Sequence, residues 1–374
     1  MVEFDFIVIG AGMAGASAAY ELSAFARVLV LEQEDQPGYH STGRSAALYA
    51  ETYGNRTIRA LTTGAKSFYL NPPAGFTEHP LLRPRGVVFI GRADQQGALQ
   101  HLLDEVAGLR SNIRWLDVAD ALAMAPVLRP GYVAGAVIDP DAMDIEVHAL
   151  HSGYLKGLKA RGGQVVTDAA VTGLARRDGV WQVTSKAGDF RGRVVLDAAG
   201  AWADEVAALA GAAPVGLIPK RRTAILFQPP KGTDPGAWPT VIDADEQFYF
   251  RPDAGRVMAS PADETPMPPC DVQPEELDIA ILLDRLEKAV DMPVARIEHR
   301  WAGLRTFAKD KTPVVGYDPQ VEDFFWLAGQ GGYGIQTAPG IARLVAALAR
   351  RQPVPEDLAE LGVVEAALSP ARFR

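Results

Sequence analysis

Short apolar runs alternate with stretches of small and polar residues along the chain. "DFIVIG" (5–10) and "RVLVLE" (27–32) are rich in β-branched residues, and the stretch between them has the alanine-rich composition of a helix. This order predicts a strand–helix–strand unit at the start of the chain. Further strands are predicted at 86–91, 163–185 and 192–200, with a turn at 177–179. Further helices are predicted at 93–108, 145–161, 201–210, 274–290 and 334–350.

The strands between about residues 214 and 326 have a different character. "KRRTAILFQPP", "QFYFRP", "GRVMASP" and "EHRWAGLRTF" are joined by proline-rich turns, which is typical of an antiparallel sheet. "FFWLAG" (324–329) and the helix after it resemble one more strand and helix of the opening layer. We therefore expect an α/β protein with two units built from separate segments. The segments are 1–80, 140–213 and 324–374 in the first unit, and 81–139 and 214–323 in the second.

Composition narrows the class of protein. A chain of 374 residues is long enough for two hydrophobic cores. Its 37 basic and 46 acidic residues give a net charge of −9, and no basic block exceeds three residues, which argues against a nucleic-acid partner. The one cysteine, Cys270, excludes an intrachain disulfide and a cysteine-only metal site and fits a reducing cytoplasm. No run reaches about 18 apolar residues, so we expect no membrane span, and peripheral contact with a membrane is left open.

A glycine motif lies between the first strand and the first helix. Gly10, Gly12 and Gly15 have the G-x-G-x-x-G spacing of a dinucleotide-binding turn. These glycines permit a tight turn, close approach of the backbone to a pyrophosphate, and close packing of the helix on the strand. Glu32 ends the second strand, 22 residues after Gly10, where a carboxylate can accept hydrogen bonds from both ribose hydroxyls. Both NAD and FAD satisfy this pattern.

Two further segments favour FAD over NAD. "HSTGRSAA" (40–47) offers hydroxyls and an arginine for diphosphate and ring contacts, and small residues against which a flat ring can lie. "GQGGYGIQTAPG" (329–340) is a second glycine-rich junction, and the N-terminus of its helix can face the electron-rich end of a reduced flavin. A nicotinamide-dependent protein, or a nucleotide-binding module without catalysis, remains an alternative.

Four stretches carry a resemblance to a known family: "DFIVIGAGMAGASAAYEL", "GYHSTGRSAALY", "VVLDAAGAWAD" and "LAGQGGYGIQTAPG". They resemble the FAD-dependent amine and amino-acid oxidoreductases of the DAO family, which includes D-amino-acid oxidase, glycine oxidase and monomeric sarcosine oxidase. Within that family the chain is most similar to the bacterial D-arginine dehydrogenases, nearly from end to end. The resemblance implies a Rossmann-type FAD-binding domain of the glutathione-reductase type for the first unit. For the second unit it implies an α+β substrate domain built on an antiparallel sheet.

The resemblance also implies the site residues. It assigns Arg222 and Arg305 to the substrate carboxylate, which a planar guanidinium can bind through paired donors, and places Tyr53 and Tyr249 against the substrate. We expect these four residues to serve catalysis as well as binding. The other residues expected at the substrate are Leu48, Gly332 and Gln336. The residues expected at the cofactor are Gly10, Gly12, Ala14, Gly15, Glu32, Gln33, Ser41, Thr42, Gly43, Arg44, Ser45, Ala46, Ala47, Leu48, Val171, Ala199, Gly200, Trp202, Gly303, Arg305, Gly331, Gly332, Tyr333, Gly334, Ile335 and Gln336.

The reaction that the resemblance implies is the oxidation of a D-amino acid. A hydride passes from the substrate Cα to the flavin, and water hydrolyses the resulting imino acid to a 2-keto acid and ammonia. Tyr53 lies in residues 50–55, which we expect to act as a lid that excludes water. The final electron acceptor is either a quinone-like carrier or oxygen. FAD is expected to bind non-covalently, because no cysteine occupies the position where sarcosine oxidases attach it.

Two positions depart from the D-arginine dehydrogenases. Leu48 replaces an active-site histidine, and residues 83–90 lack the glutamate that meets the substrate guanidinium in those enzymes. A buried cationic side chain without a carboxylate partner costs several kcal/mol, so we expect neutral, apolar D-amino acids as substrates. Glu51 can take the place of the missing glutamate only if it points inward. A glycine or sarcosine type of oxidase, or a 2-hydroxy-acid oxidoreductase, remains the alternative within the family.

One pair of histidines has a spacing that metal sites also use. His148 and His151 lie three residues apart, with Glu146 just before them, so all three can share one side of a helix. No further ligand cluster lies nearby in the sequence, and we expect a surface or helix-end role and no metal. Cys270 stands in a proline-rich stretch away from the flavin motifs in the sequence.

Overall fold

The opening residues form the strand–helix–strand unit that their pattern predicts. In a computed structural model, which describes residues 3–109 and 112–374, strand β1 (Glu3–Ile9), helix α1 (Met13–Leu22) and strand β2 (Val28–Leu31) follow one another. The two strands pair in parallel. β2 is buried at every position, as expected for a parallel strand that is covered on both faces.

The other elements follow in chain order. The strands are β3 (Leu48–Tyr49), β4 (Leu82–Pro84), β5 (Val87–Gly91), β6 (Arg114–Leu116), β7 (Gly135–Asp139), β8 (Met143–Ile145), β9 (Gln164–Val166), β10 (Val171–Arg177), β11 (Val180–Ser185), β12 (Gly188–Asp197), β13 (Ile218–Phe227), β14 (Thr240–Asp243), β15 (Tyr249–Asp253), β16 (Arg256–Ser260), β17 (Ile297–Phe307), β18 (Val314–Tyr317) and β19 (Phe324–Ala328). The helices are α2 (Arg56–Leu70), α3 (Gln96–Val106), α4 (Val118–Met124), α5 (Val147–Ala160), α6 (Ala203–Leu209), α7 (Glu276–Ala289), α8 (Gly334–Ala349) and α9 (Glu356–Glu360). The five helices predicted after the first are confirmed.

The first sheet carries the strand–helix–strand unit. Its strand order is β10-β11-β12-β1-β2-β9, with β19 beside β12 and β18 beside β19. The pairs of β1 with β2 and β12, of β2 with β9, and of β12 with β19 are parallel, whereas β10, β11 and β12 form an antiparallel meander. Apolar side chains of α1, α2 and α8 cover one face of this sheet, and α6 and the meander cover the other.

The second sheet forms the antiparallel layer that the sequence predicts. Its order is β17-β13-β16-β15-β14-β5-β7-β6, and the pair of β14 with β5 is the parallel one among them. One face is covered by α4 and α7 and contains Phe227, Phe248 and Phe250, all fully buried. The opposite face is therefore the one left free to line a site. The strands β3, β8 and β4 form a third, small antiparallel sheet in that order.

Several observed elements depart from the pattern in the sequence, among them α4 and α9, which were not predicted. Helix α2 was not predicted, although Ile58, Leu61, Ala65 and Tyr69 form a buried stripe at helical spacing. Strand β18 lies before residue 324 yet pairs with β19 in the first sheet, so this sheet takes residues from the segment assigned to the second unit. The boundaries of the two domains stay a prediction.

Candidate active site

A cavity of about 1020 Å³ runs from the glycine turn after β1 to the free face of the second sheet. Residues on six strands of that sheet line it, and we call them the cavity face. They are Val87, Phe89, Asp139, Arg222, Ala224, Thr240, Ile242, Tyr249, Arg251, Trp301, Gly303 and Arg305. The register of the strands places these side chains on one side of the sheet, because directly paired residues point the same way.

The glycine turn is packed too tightly for any larger residue. Gly10 has a φ of +101°, and a Cβ atom there would lie 2.5 Å from the carbonyl oxygen of Ala198. A Cβ atom on Gly15 would lie 1.9 Å from the carbonyl oxygen of Gly10. Gly12 is the N-cap of α1 and lines the cavity. The turn therefore presents backbone to the cavity, as a phosphate-binding turn requires.

Glu32 is held beside this turn. One carboxylate oxygen accepts a hydrogen bond from the Ala11 N–H at 2.8 Å, and the other accepts one from the Glu34 N–H at 3.1 Å. The side chain is buried and lines the cavity. Burial raises the pKa of the carboxyl group, and the backbone N–H groups oppose that shift. The acid is thus oriented at the end of the cavity where a ribose is expected.

The loop after β2 contacts the start of α1 and the second sheet. The Thr42 hydroxyl oxygen accepts a hydrogen bond from the Met13 N–H at 2.9 Å, and the Ser41 hydroxyl donates to the Leu304 carbonyl at 2.6 Å. Arg44 lines the cavity, as expected of a cofactor residue, and also contacts the second sheet. Its guanidinium donates to the Ala302 carbonyl at 3.0 Å and forms an ion pair with Asp271 at 2.5 Å. Arg44 therefore joins the loop to the second sheet, and its charge is already paired.

The second glycine-rich junction lies against an arginine. Gly331 has a φ of +55°, and a Cβ atom on Gly332 would lie 3.0 Å from Nη1 of Arg305. Helix α8 starts at Gly334, two residues after Gly332. The side chain of its N-cap residue, Tyr333, makes no capping hydrogen bond to the backbone of the first turn. The first turn of α8 thus meets the cavity next to a guanidinium. Both features are electropositive, which suits a flavin ring that gains negative charge on reduction.

The two arginines assigned to the carboxylate lie diagonally on neighbouring strands. Arg222 pairs with Gly303 and Arg305 pairs with Lys220, so both guanidinium groups are on the cavity face. Arg222 forms an ion pair with Glu264 at 3.3 Å. Within residues 3–109 and 112–374, Arg305 has no carboxylate within 4.0 Å. Arg305 therefore brings a positive charge into the cavity that no described acidic side chain neutralises.

Tyr53, Tyr249 and Tyr333 line the cavity together with the Arg305 guanidinium. The rings of Tyr53 and Tyr333 lie 4.9 Å apart, and burial raises the pKa of the Tyr53 hydroxyl, an effect that the Arg305 charge opposes. Tyr249 reaches the cavity from β15. Gln336 is buried, and its side chain accepts a hydrogen bond from the Ala50 N–H at 3.3 Å and donates to the Tyr53 carbonyl at 3.5 Å. The segment at residues 50–55 is thus hydrogen-bonded to the first turn of α8, in the part of the cavity that contains the arginines.

Most of the residues expected from the sequence come together here. Every expected substrate and cofactor residue lines the cavity except Gly15 and Gly43, which lie behind it. Gly43 closes a tight turn, because a Cβ atom there would lie 2.8 Å from the Gly38 carbonyl oxygen. The individual roles of these residues stay predictions.

The expectations for His151 and Cys270 need correction, and the condition set for Glu51 is not met. Glu51 does not line the cavity, because it forms an ion pair with Lys66 at 2.5 Å. His151 is buried rather than on the surface, and its ring nitrogen bonds the Ala11 carbonyl at 2.8 Å. No metal cluster is found in the described part of the chain. Cys270 lies away from the flavin motifs in sequence only, since it packs against the same buried cluster as Trp202.

Five acidic residues that line the cavity carry no signal in the sequence: Glu105, Asp139, Glu205, Glu246 and Asp310. Asp139 is buried at the end of β7, where its carboxylate accepts a hydrogen bond from the Thr52 hydroxyl at 2.5 Å. Burial raises the pKa of its carboxyl group, and the bond from Thr52 opposes that shift. Glu246 lies in the turn between β14 and β15, with a φ of +53°. The aspartate that ends "GAVID" (135–139) carries no motif of its own, and only the pairing of β5 with β7 brings it to the cavity.

Comparison with known proteins identifies the family. The model of the DAO family, described as FAD dependent oxidoreductase, matches residues 5–348. The chain belongs to the DAO family of FAD-dependent oxidoreductases. Glycine oxidase of Bacillus licheniformis is 23% identical over 376 residues, which cover 96% of each chain. Hydrogen cyanide synthase subunit HcnC of Pseudomonas aeruginosa is 23% identical over 403 residues, covering 95% of this chain and 94% of the relative.

A solved structure shows the same fold. Glycine oxidase from Geobacillus kaustophilus superposes with a TM-score of 0.84 at 20% identity, covering 97% of this chain and 99% of that one. The α/β fold class with a Rossmann-type layer is therefore confirmed. The narrower resemblance to the D-arginine dehydrogenases stays a prediction. Among the described residues, no helix is both long and apolar enough to span a membrane.

FAD is the cofactor of this family, and the residues present fit it. The glycine turn exposes backbone that any side chain would cover, Glu32 is oriented for a ribose, and the first turn of α8 faces the cavity. These features lie along one continuous cavity, as an extended dinucleotide requires. The protein is an FAD-dependent oxidoreductase.

Proposed function

We propose that the protein catalyses the oxidative deamination of D-amino acids with neutral, apolar side chains. FAD, when bound, accepts the hydride that leaves the substrate Cα. The imino acid product is hydrolysed by water to a 2-keto acid and ammonia. Arg222, Arg305, Tyr53 and Tyr249 are the residues that we assign to binding and orienting the substrate.

The observation that carries this proposal is the guanidinium of Arg305. It projects into the cavity with no carboxylate partner among the described residues, beside the flavin-facing turn at Gly332. A buried charge without a partner is costly, and the carboxylate of an amino acid supplies the partner. Arg222 lies diagonally across the strand pair and can share that carboxylate, which fixes the direction of the Cα–H bond.

The tyrosines and the segment at 50–55 complete the proposed site. Because burial raises the pKa of Tyr53, its hydroxyl stays protonated near neutral pH and can donate a hydrogen bond without serving as a base. We assign Tyr53 and Tyr249 to positioning the substrate amine. Residues 50–55 would exclude water when they close, and the side chain of Gln336 links that segment to α8 by accepting a hydrogen bond from the Ala50 N–H and donating one to the Tyr53 carbonyl.

An apolar cluster supports the choice of side chain. Leu48, Tyr53, Val87, Phe89 and Ile242 pack together and all line the cavity. Such a wall stabilises aliphatic and aromatic groups by removing their surface from water. The preference for the D configuration rests on the family resemblance.

The alternative function is oxidation of another small carboxylated amine or of a 2-hydroxy acid. An arginine pair binds those carboxylates equally well. Two of the similar proteins reported above are named glycine oxidases, which favours the amine within this alternative. Non-covalent binding of FAD and a final acceptor that is either oxygen or a quinone-like carrier complete the proposal.

Anaerobic reduction of the flavin tests the function. The FAD-loaded protein is mixed under nitrogen with single D- and L-amino acids, glycine, sarcosine and 2-hydroxy acids, and the visible flavin spectrum is followed. We expect D-leucine and similar D-amino acids to bleach the flavin and to release one ammonia per flavin reduced. Bleaching by sarcosine, glycine or a hydroxy acid but by no D-amino acid would replace the proposal with its alternative.

A further inference from the structure

Asp139 is a buried carboxylate in the cavity without a cationic partner. It is 3% exposed and ends β7 on the cavity face. Its two hydrogen bonds come from neutral donors, the Thr52 hydroxyl at 2.5 Å and the Asp141 N–H at 3.1 Å. No arginine, lysine or histidine in residues 3–109 and 112–374 lies within 4.0 Å of it. A buried anion in this state is stabilised further by any cation that can reach it.

The carboxylate lies at the edge of the apolar cluster. Asp139 pairs directly with Val87 across β5 and β7, and Thr240 pairs with Val87 from the other side. Val87 packs in the same cluster as Leu48 and Tyr53. A side chain that passes along this wall from the arginine pair therefore comes to an acidic group.

The other acidic residues that line the cavity are placed differently; they are Glu32, Glu105, Glu205, Glu246 and Asp310. Glu32 lies at the glycine turn and is held by two backbone N–H groups. Glu105 lies 3.5 Å from the guanidinium of Arg59 and is half exposed. The other three are exposed, and Asp310 is paired with Arg372. Asp139 alone among the six combines burial, a position beside the apolar cluster and the lack of a cation in the described chain.

We propose that Asp139 binds the terminal ammonium group of long D-amino acid side chains and so extends the substrate range beyond apolar residues. The methylene groups of such a side chain would contact Leu48, Val87 and Ile242, and its charged end would meet the carboxylate. The inference rests on the proposed function. It revises the expectation that a cationic side chain finds no partner, which followed from the sequence of residues 83–90 alone.

A matched pair of substrates tests this role. D-lysine and D-norleucine share the same carbon chain, and only D-lysine carries a terminal ammonium group. We expect the wild-type protein to reduce its flavin with both substrates. In Asp139→Asn the ratio of kcat/KM for D-lysine to kcat/KM for D-norleucine should fall by about tenfold to a hundredfold, because a hydrogen bond to a charged group is lost.

Asp141→Asn is the control variant. It removes one negative charge two residues away, on an exposed side chain that bonds Asn112 and does not line the cavity. The ratio in this variant should stay within about twofold of wild type, since a bound ammonium in direct contact depends on Asp139 rather than on the general field. A loss in Asp141→Asn equal to that in Asp139→Asn would overturn the assignment.

A different role for Asp139 gives a different result. If its bond to Thr52 only holds the segment at 50–55 in place, Asp139→Asn would slow D-lysine and D-norleucine equally, and the proposal would be rejected. The wild-type protein gives an independent check should the variant lose FAD: reduction of the flavin by D-norleucine but not by D-lysine also rejects the proposal. Failure of both substrates to reduce the flavin would reject the proposed function itself.

Discussion

Replacing Arg305 with lysine separates the geometry of the guanidinium from its charge. Lysine keeps a positive charge on β17 but presents a single ammonium group instead of a planar pair of donors. Because no described carboxylate lies within 4.0 Å of Arg305, the change breaks no ion pair in the folded chain. The cost should therefore fall on the bound carboxylate, and the loss of one of two parallel hydrogen bonds to a charged group is worth about 1.5–3 kcal/mol.

This cost predicts a decrease in kcat/KM for D-leucine of about tenfold to 150-fold. Stopped-flow measurement of anaerobic flavin reduction at increasing D-leucine gives the dissociation constant and the limiting rate constant separately. We expect both to worsen, since the guanidinium pair orients the Cα–H bond as well as binding the carboxylate. The flavin content of the purified variant should match wild type.

Arg300→Lys provides the matched control. Arg300 is on the same strand but does not line the cavity, and it forms an exposed ion pair with Glu276. Its substitution should leave both constants within about twofold, because exposed ion pairs contribute little. Equal losses in the two variants, or wild-type constants in Arg305→Lys, would refute the role of Arg305 in binding substrate.

The remaining predictions concern stability and pH. Asp197 is fully buried, and burial raises the pKa of its carboxyl group well above the usual range, with a bond from the Ala199 N–H opposing this. The folded state then binds the proton more tightly than the unfolded state, so this group lowers stability as pH rises above the unfolded value of about 4. Asp197→Asn should therefore raise the melting temperature more at pH 8 than at pH 5, and an equal change at both pH values would contradict this. The gain in the free energy of unfolding at pH 7 is at most about 4 kcal/mol. Gly15→Ala should lower the melting temperature and the FAD content together, since its Cβ would lie 1.9 Å from the Gly10 carbonyl oxygen; wild-type values for both would contradict the tight packing. Tyr53→Phe should lower kcat without changing the shape of its pH profile between pH 6 and 9, because the raised pKa keeps the hydroxyl protonated there; an inflection lost in the variant would show that Tyr53 titrates.

The parts of the fold that follow local rules were predictable. The strand–helix–strand unit and the glycine turn depend on residues close in sequence, and Glu32 follows at a fixed spacing. The shared face of Arg222 with Ala224, and of Arg305 with Trp301 and Gly303, follows from strand alternation within β13 and β17. Such patterns need no knowledge of distant contacts.

The missed features depend on contacts between distant parts of the chain. Helix α2 contains Gly64 and two adjacent threonines, which lower intrinsic helix propensity, and it is stabilised by packing against α8. Gly340 allows that approach, because a Cβ atom there would lie 2.5 Å from the Leu61 carbonyl oxygen. Asp139 reaches the cavity only through its register with Val87, and His151 bonds a carbonyl 140 residues away.

The central claim is that the arginine pair holds a substrate by its carboxylate while the flavin oxidises the adjacent carbon. The most direct measurement compares anaerobic flavin reduction by D-leucine with reduction by D-leucinamide, which differs only in its carboxyl group. We predict rapid bleaching by D-leucine and a decrease in kcat/KM of at least about a hundredfold for the amide. Equal bleaching by the two compounds would contradict the account.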